Sequence, residues 1–155
     1  MKKALKRSLS FLLAVAIIFS SAYVGLGELD FSGFFAVRAK AANEEYLKFT
    51  ISDNNAYYYL SECDPLAEGE VVIPSTYNGL PVKIVGAYSF EKCSLITSVV
   101  IPDSVTEIRN HAFYKCSRLE SVNIPNKVTK LWTEVFAECT SLKSIVIPDS
   151  VTWTN

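Results

Sequence analysis

The sequence predicts a repeat solenoid, mainly β with short helical or 3₁₀ turns, and three observations carry that prediction. A 23-residue period runs without a gap over residues 89–111, 112–134 and 135–155. Phe90, Phe113 and Phe136 share one column, as do Cys93, Cys116 and Cys139, and Pro102, Pro125 and Pro148. Each unit has one short apolar stretch that cannot bury its face alone, so neighbouring units have to stack.

The amino terminus comes first in the chain and has a different character. Lys2, Lys3, Lys6 and Arg7 precede an uncharged run over residues 8–27, the layout of a secretory signal. Ala39-Lys40-Ala41 before Ala42 supplies the small residues that cleavage needs, with Ser20-Ser21-Ala22 as an earlier option. Release after Ala41 is expected. The rival reading is an uncleaved anchor, because about 20 apolar residues span a bilayer. A lipid anchor is not indicated, since the first cysteine is Cys63. The expected division is a signal peptide at 1–41, a hairpin cap at 42–69 and leucine-rich repeats at 70–155, in about 3.5 units with an uncapped carboxyl end.

Residues 47–52 (LKFTIS), a turn at Asp53-Asn54-Asn55 and residues 56–60 (AYYYL) read as a β-hairpin. Its natural place is over the open first coil. A degenerate unit follows, in which Val71-Val72-Ile73-Pro74 mirrors Val99-Val100-Ile101-Pro102. Its extra residues lie around Tyr77-Asn78-Gly79-Leu80-Pro81, where Asn-Gly favours a tight turn.

Within a full unit, Ile96, Val99 and Ile101 have the spacing L-x-x-L-x-L, repeated by Leu119, Val122, Ile124 and by Leu142, Ile145, Ile147. That spacing is the strand of a leucine-rich repeat. Alternation puts Val99 and Ile101 on the buried face and turns Ser98 and Val100 outward. Proline then ends the strand, since it lacks an amide hydrogen. Val105 and Ile108, matched by Val128 and Leu131, return to the core from the opposite side. Ala112-Phe113-Tyr114-Lys115-Cys116 closes the coil as one helical or 3₁₀ turn. The last unit follows its template through Val151-Thr152, then sets Trp153 and Thr154 where Lys130 and Leu131 stand one period earlier.

The columns A-F-x-x-C-x-x-L and I-P-x-x-V-T-x-I resemble the BspA-like leucine-rich repeats of bacterial surface proteins, and 70–90 (EVVIPSTYNGLPVKIVGAYSF) is similar to the first repeat of such arrays. The resemblance covers roughly residues 46–152. It implies a surface or secreted protein, in a family several of whose members are thought to act as adhesins. The chain departs from the pattern in its few repeats and in a weak glycine column, with Gly86 followed by Arg109 and Trp132.

The whole chain has 15 basic and 16 acidic residues; the leader takes 6 and 2 of them, leaving the mature part near −5. That sign argues against nucleic acid, whose binders need a basic stripe to displace counterions. Anionic membrane surfaces are disfavoured for the same reason, so membrane contact is expected only through the signal segment if it stays uncleaved. The cysteine column reads as small buried hydrophobes rather than a metal or disulfide site, with Cys63 outside the register and unassigned. His111, the only histidine, reads as a solvated loop residue. Scattered carboxylates give no catalytic pair, so neither an enzyme nor a cofactor is expected.

The outward strand positions are the candidate binding strip: Thr97, Ser98 and Val100; Glu120, Ser121 and Asn123; Lys143, Ser144 and Val146. Tyr57, Tyr58, Tyr59, Tyr114 and Trp132 form a second candidate patch. The function expected is non-catalytic binding of a protein or cell-surface macromolecule, or adhesion, outside the cell or at its surface. The alternative is a structural spacer without a specific ligand. An uncapped last coil would also permit end-to-end self-association.

Overall fold

The computed structural model describes residues 45–153; the expected signal segment and its cleavage site lie outside them. Two strands, β1 (Leu47–Ile51) and β2 (Tyr58–Cys63), form an antiparallel hairpin. They are followed by β3 (Gly69–Val72), β4 (Thr76–Tyr77), β5 (Leu80–Val85), β6 (Ile96–Val100), β7 (Glu107–Ile108), β8 (Ser121–Val122), β9 (Lys130–Leu131) and β10 (Thr152–Trp153). After the hairpin the chain winds as a mainly β solenoid of about three turns. Each turn contributes one strand to a short sheet, ordered β3-β6-β8, and one to a long sheet, ordered β1-β2-β5-β7-β9-β10 with β4 beside β5.

The apolar columns explain why the chain coils. Ile96, Val99 and Ile101 of one coil and Leu119 and Ile124 of the next are buried, as are Val105, Ile108, Val128 and Leu131 from the opposite wall. Between the walls Phe90, Phe113 and Phe136 stack face to face, with ring centroids 4.8 and 5.3 Å apart. At the corner between the sheets, the carbonyls of Pro102, Pro125 and Pro148 accept the amide three residues on, at 3.0 Å for Val105 and Val128 and 3.1 Å for Val151. The next residue is threonine in these three units. The amides of Thr129 and Thr152 donate to the carbonyls of Thr106 and Thr129, and their hydroxyls reach those same oxygens. A two-residue strand pair is thereby reinforced by a side chain.

The third corner departs from the expected helical turn. Among the described residues there is no helix. Tyr88, Lys92, His111, Lys115, Glu134 and Glu138 all have positive φ, between 54° and 64°. A left-handed residue every fourth position breaks the right-handed spiral. Alternate amides are turned toward the neighbouring coil: Phe90 to the Ala112 carbonyl at 2.8 Å, Lys92 to Tyr114 at 2.9 Å, Phe113 to Val135 at 2.9 Å and Lys115 to Ala137 at 3.0 Å. The corner is a third inter-coil ladder, and each coil is triangular in cross-section as a result.

The hairpin loop is longer than the sequence predicts, running to Tyr57 rather than Asn55. The buried Ser52 is responsible, because its hydroxyl accepts the amides of both Ala56 and Tyr57 at 3.2 Å. The hairpin extends the long sheet only, with Tyr59 and Leu60 paired in parallel to Ile84 and Val85. Its approach is close: a Cβ on Gly86 would lie 2.5 Å from the Leu60 carbonyl oxygen. That contact requires glycine at 86 and leaves Arg109 and Trp132 room in the later coils, which accounts for the weak glycine column. The Asn78-Gly79 insertion is a two-residue hairpin between β4 and β5, with φ of 46° and 80°. At the last strand the register shortens by one residue, pairing Trp153 with Leu131 rather than with Lys130.

Candidate binding surfaces

The strip expected along the short sheet is only partly assembled. In β6, Thr97 and Ser98 are half-buried and Val100 is exposed; in the next coil Glu120, Ser121 and Asn123 are exposed. Ser98 pairs directly with Ser121. Residues 142–147, which contain Lys143, Ser144 and Val146, are exposed at these three positions but form no strand, and Val146 is 84% accessible. The ladder therefore fades along the solenoid while the row of outward side chains continues.

One member of the strip has another task. Asn123 accepts the Ile101 amide at 2.7 Å through Oδ1 and donates to the Ile101 carbonyl at 2.8 Å through Nδ2. Its carboxamide stands in for a peptide unit, extending the short sheet past the end of β8. Conversely, Val72 joins the strip unannounced: it lies beside Val100 in register and is similarly exposed. The repetition of Val-Val-Ile-Pro at 71–74 and 99–102 carried that signal.

The aromatic residues of the second candidate patch lie on several elements. Tyr58 meets the edge of Tyr77, which stacks on Phe49, so these rings pack the hairpin against the β4 insertion. Trp132 lies on the long sheet, where its indole nitrogen donates to Glu107 at 3.1 Å, and the same carboxylate accepts from Arg109 at 2.9 Å. Tyr114 belongs to the turn corner.

That corner holds the residues that sequence reasoning missed. Tyr88, His111 and Glu134 form one column and Lys92, Lys115 and Glu138 another, all at left-handed positions. His111 is not a solvated loop residue. Its ring stacks on Tyr88 at 4.8 Å, meets Tyr114 edge-on at 5.4 Å, and its Nε2 lies 2.8 Å from Glu134. Glu138 accepts the Tyr114 hydroxyl at 2.8 Å. Lys115 lies 4.8 Å over the Tyr114 ring; its hydrogen bond with Tyr114 and the nearby Glu138 charge raise its pKa above the ordinary lysine value. The 23-residue spacing of Tyr88, His111 and Glu134 was visible, but three chemically unlike residues in a column give no periodic signal.

The cysteines also form a column, and they do more than fill space. Cys116 and Cys139 donate their thiol hydrogens to the carbonyls of Phe90 and Phe113, each at 3.1 Å. Cys63 stands at the head of this column, buried beside Cys93. The adjacent thiol, Cys93 or Cys139, and then burial raise the Cys63 and Cys116 thiols above the usual range, whereas the Cys116 neighbour lowers Cys139.

Residues 50–155 match the description BspA type leucine rich repeat region (6 copies). Among solved structures, a leucine-rich repeat protein of T. pallidum (TpLRR) is 30% identical with a TM-score of 0.65, over 69% of this chain and 50% of that one. A leucine-rich repeat protein from Bacteroides ovatus is 31% identical with a TM-score of 0.62, over 68% of this chain and 29% of that one. One from Bacteroides capillosus is 32% identical with a TM-score of 0.63, over 71% of this chain and 84% of that one. No curated protein matches. The chain thus spans half of the first of these relatives and under a third of the second. Its 23-residue coils, phenylalanine stack and matched residues together place the chain in the BspA-type leucine-rich repeat family.

Proposed function

We propose that this chain is an exported, non-catalytic repeat protein that binds a protein or cell-surface macromolecule through the outer face of its short sheet. The observation that carries this reading is the pair Val72 and Val100, both exposed side by side on a hydrogen-bonded sheet, with Ser98, Glu120 and Ser121 beside them. Apolar groups on a rigid surface with a polar surround lose little conformational freedom on binding. Export is supported by the basic, then uncharged, amino-terminal run and the small residues before Ala42. The excess of acid over base disfavours nucleic acid as the partner.

The experiment is capture of extracellular proteins and of neighbouring cells on the immobilised protein, with Val100→Arg and Ser121→Arg as variants. Saturable binding that falls at least tenfold in both variants, with unchanged melting temperatures, supports the strip. Binding that is indifferent to both would overturn it. A spacer role is the second reading, favoured by the engagement of Asn123 with the Ile101 backbone and by the absence of a strand at 142–147. It predicts no saturable ligand at all.

A further inference from the structure

Cys63 ends the hairpin strand β2 and lies outside the 23-residue register, yet the fold delivers it to Cys93 of the first coil. Both sulfurs converge on one oxygen, the Asp64 carbonyl, at 3.7 Å from Cys63 and 3.8 Å from Cys93. The Cys93 sulfur is also 3.7 Å from the Cys63 carbonyl, and the Cys93 thiol beside Cys63 is the largest of the causes that raise the Cys63 pKa. The other thiol pair, Cys116 and Cys139, is differently placed. Each of its members has a strong partner at 3.1 Å, so oxidation there would forfeit two good hydrogen bonds. The contacts of Cys63 and Cys93 are close to the longest a thiol can make, and little is lost if their hydrogens leave.

Cys63 sits on a hairpin whose strand pairing to the solenoid is β2 with β5. Local opening of that one ladder bares Cys63 and Cys93 together.

We propose that Cys63 and Cys93 are a disulfide-forming pair that staples the hairpin to the first coil when the protein meets a small-molecule disulfide. During local opening one thiol gives up its proton, and its thiolate attacks the oxidant's sulfur–sulfur bond, releasing one small thiol. The second thiolate attacks the resulting mixed disulfide, forms the protein's sulfur–sulfur bond and releases the other small thiol. Two protein thiols are oxidised, one disulfide is reduced, and the two protons pass to the departing thiolates. The bond would span residues 30 apart, closing a loop that contains β3, β4 and β5. Its biological setting rests on the export reading, because such oxidants persist outside the cytoplasm; the chemistry is tested independently of it.

The test incubates the full chain, purified reduced, with oxidised glutathione, followed by thiol counting, intact mass and peptide mapping. The expected result is loss of two of the four thiols, a single Cys63–Cys93 crosslinked peptide and a raised melting temperature that reverts on reduction. Cys63→Ala should lose no thiol pair and show no rise, and Cys116→Ala should behave like the parent. Mapping on the unsubstituted chain keeps the test decisive if either variant fails to fold. Four persistently free thiols, a crosslink elsewhere, or glutathione adducts that never resolve into a crosslink would each overturn the proposal. Export could fail its own test while this result stood.

Discussion

The two sheets of the solenoid are built from the same repeat but have opposite habits. The short sheet starts with strands of four and five residues, drops to two at β8 and forms no strand at residues 142–147. The long sheet has two-residue strands from β7 onward, yet it never breaks, and it runs from the hairpin to β10. The difference lies in what backs each ladder. On the long sheet a threonine in each unit after the first doubles the backbone bond with its hydroxyl, from Thr106 onto Lys83, Thr129 onto Thr106 and Thr152 onto Thr129. On the short sheet the equivalent position carries Val100, Asn123 or Val146, and only asparagine can bridge. A wall whose bonds are doubled at a recurring threonine keeps its ladder. The wall whose outward residues vary loses its ladder.

Four measurements break or sharpen that contrast. Both walls close on the phenylalanine stack, so Phe113→Ala should destabilise by about 3–5 kcal/mol in denaturant unfolding, Phe113 being fully buried between Phe90 and Phe136. A much smaller loss would mean that the walls, not the stack, carry the stability. Asn123→Ala should lose about 1–3 kcal/mol, because it strands the amide and carbonyl of the buried Ile101. If it costs no more than Ser121→Ala, the asparagine bridge is not holding the short sheet.

Alkaline pH supplies the third. The adjacent Cys93 thiol and burial raise the Cys63 pKa above the ordinary thiol value of 9.0, so the unfolded chain releases that proton first. Stability from this group is complete below about pH 9 and declines as pH rises beyond it. Cys63→Ala should flatten the decline; an unchanged slope in thermal melts from pH 8 to 10 would contradict it. The smallest effect is expected at Arg118→Ala, whose exposed side chain should contribute under about 0.5 kcal/mol. A loss comparable to that of Phe113→Ala would show that the inward and outward columns have been exchanged.

The period, the phenylalanine column and the Asn78-Gly79 turn were legible because each is a repeated or strongly biased local pattern. The third ladder was not. Its left-handed positions hold Tyr, His, Glu and Lys, whose local propensities do not announce positive φ; only stacking against the next coil imposes it. The role of Asn123 was hidden for a related reason, since a carboxamide that replaces a peptide bond is indistinguishable from a solvated one until the strand beside it is placed. Cys63 escaped assignment because the hairpin breaks the 23-residue spacing, and proximity to Cys93 across the hairpin junction leaves no periodic trace. Of the strip, the outward alternation was readable, and its fading after β8 was not.

The triangular section has a mechanical consequence. Inter-coil hydrogen bonds run along the solenoid axis, so tension applied along that axis reaches each interface in series, and the interface with the fewest ladders yields first. Between the first and second coils three ladders share the load: β3 with β6, β5 with β7, and the corner bonds from Phe90 and Lys92. Between the third coil and residues 142–153, the strand pairing among the described residues is β9 with β10 alone, aided by the Ser150 hydroxyl on the Val128 carbonyl at 2.8 Å. A stretched molecule would therefore yield first there and at the hairpin, which one ladder, β2 with β5, joins to the first coil, while the first and second coils stayed together.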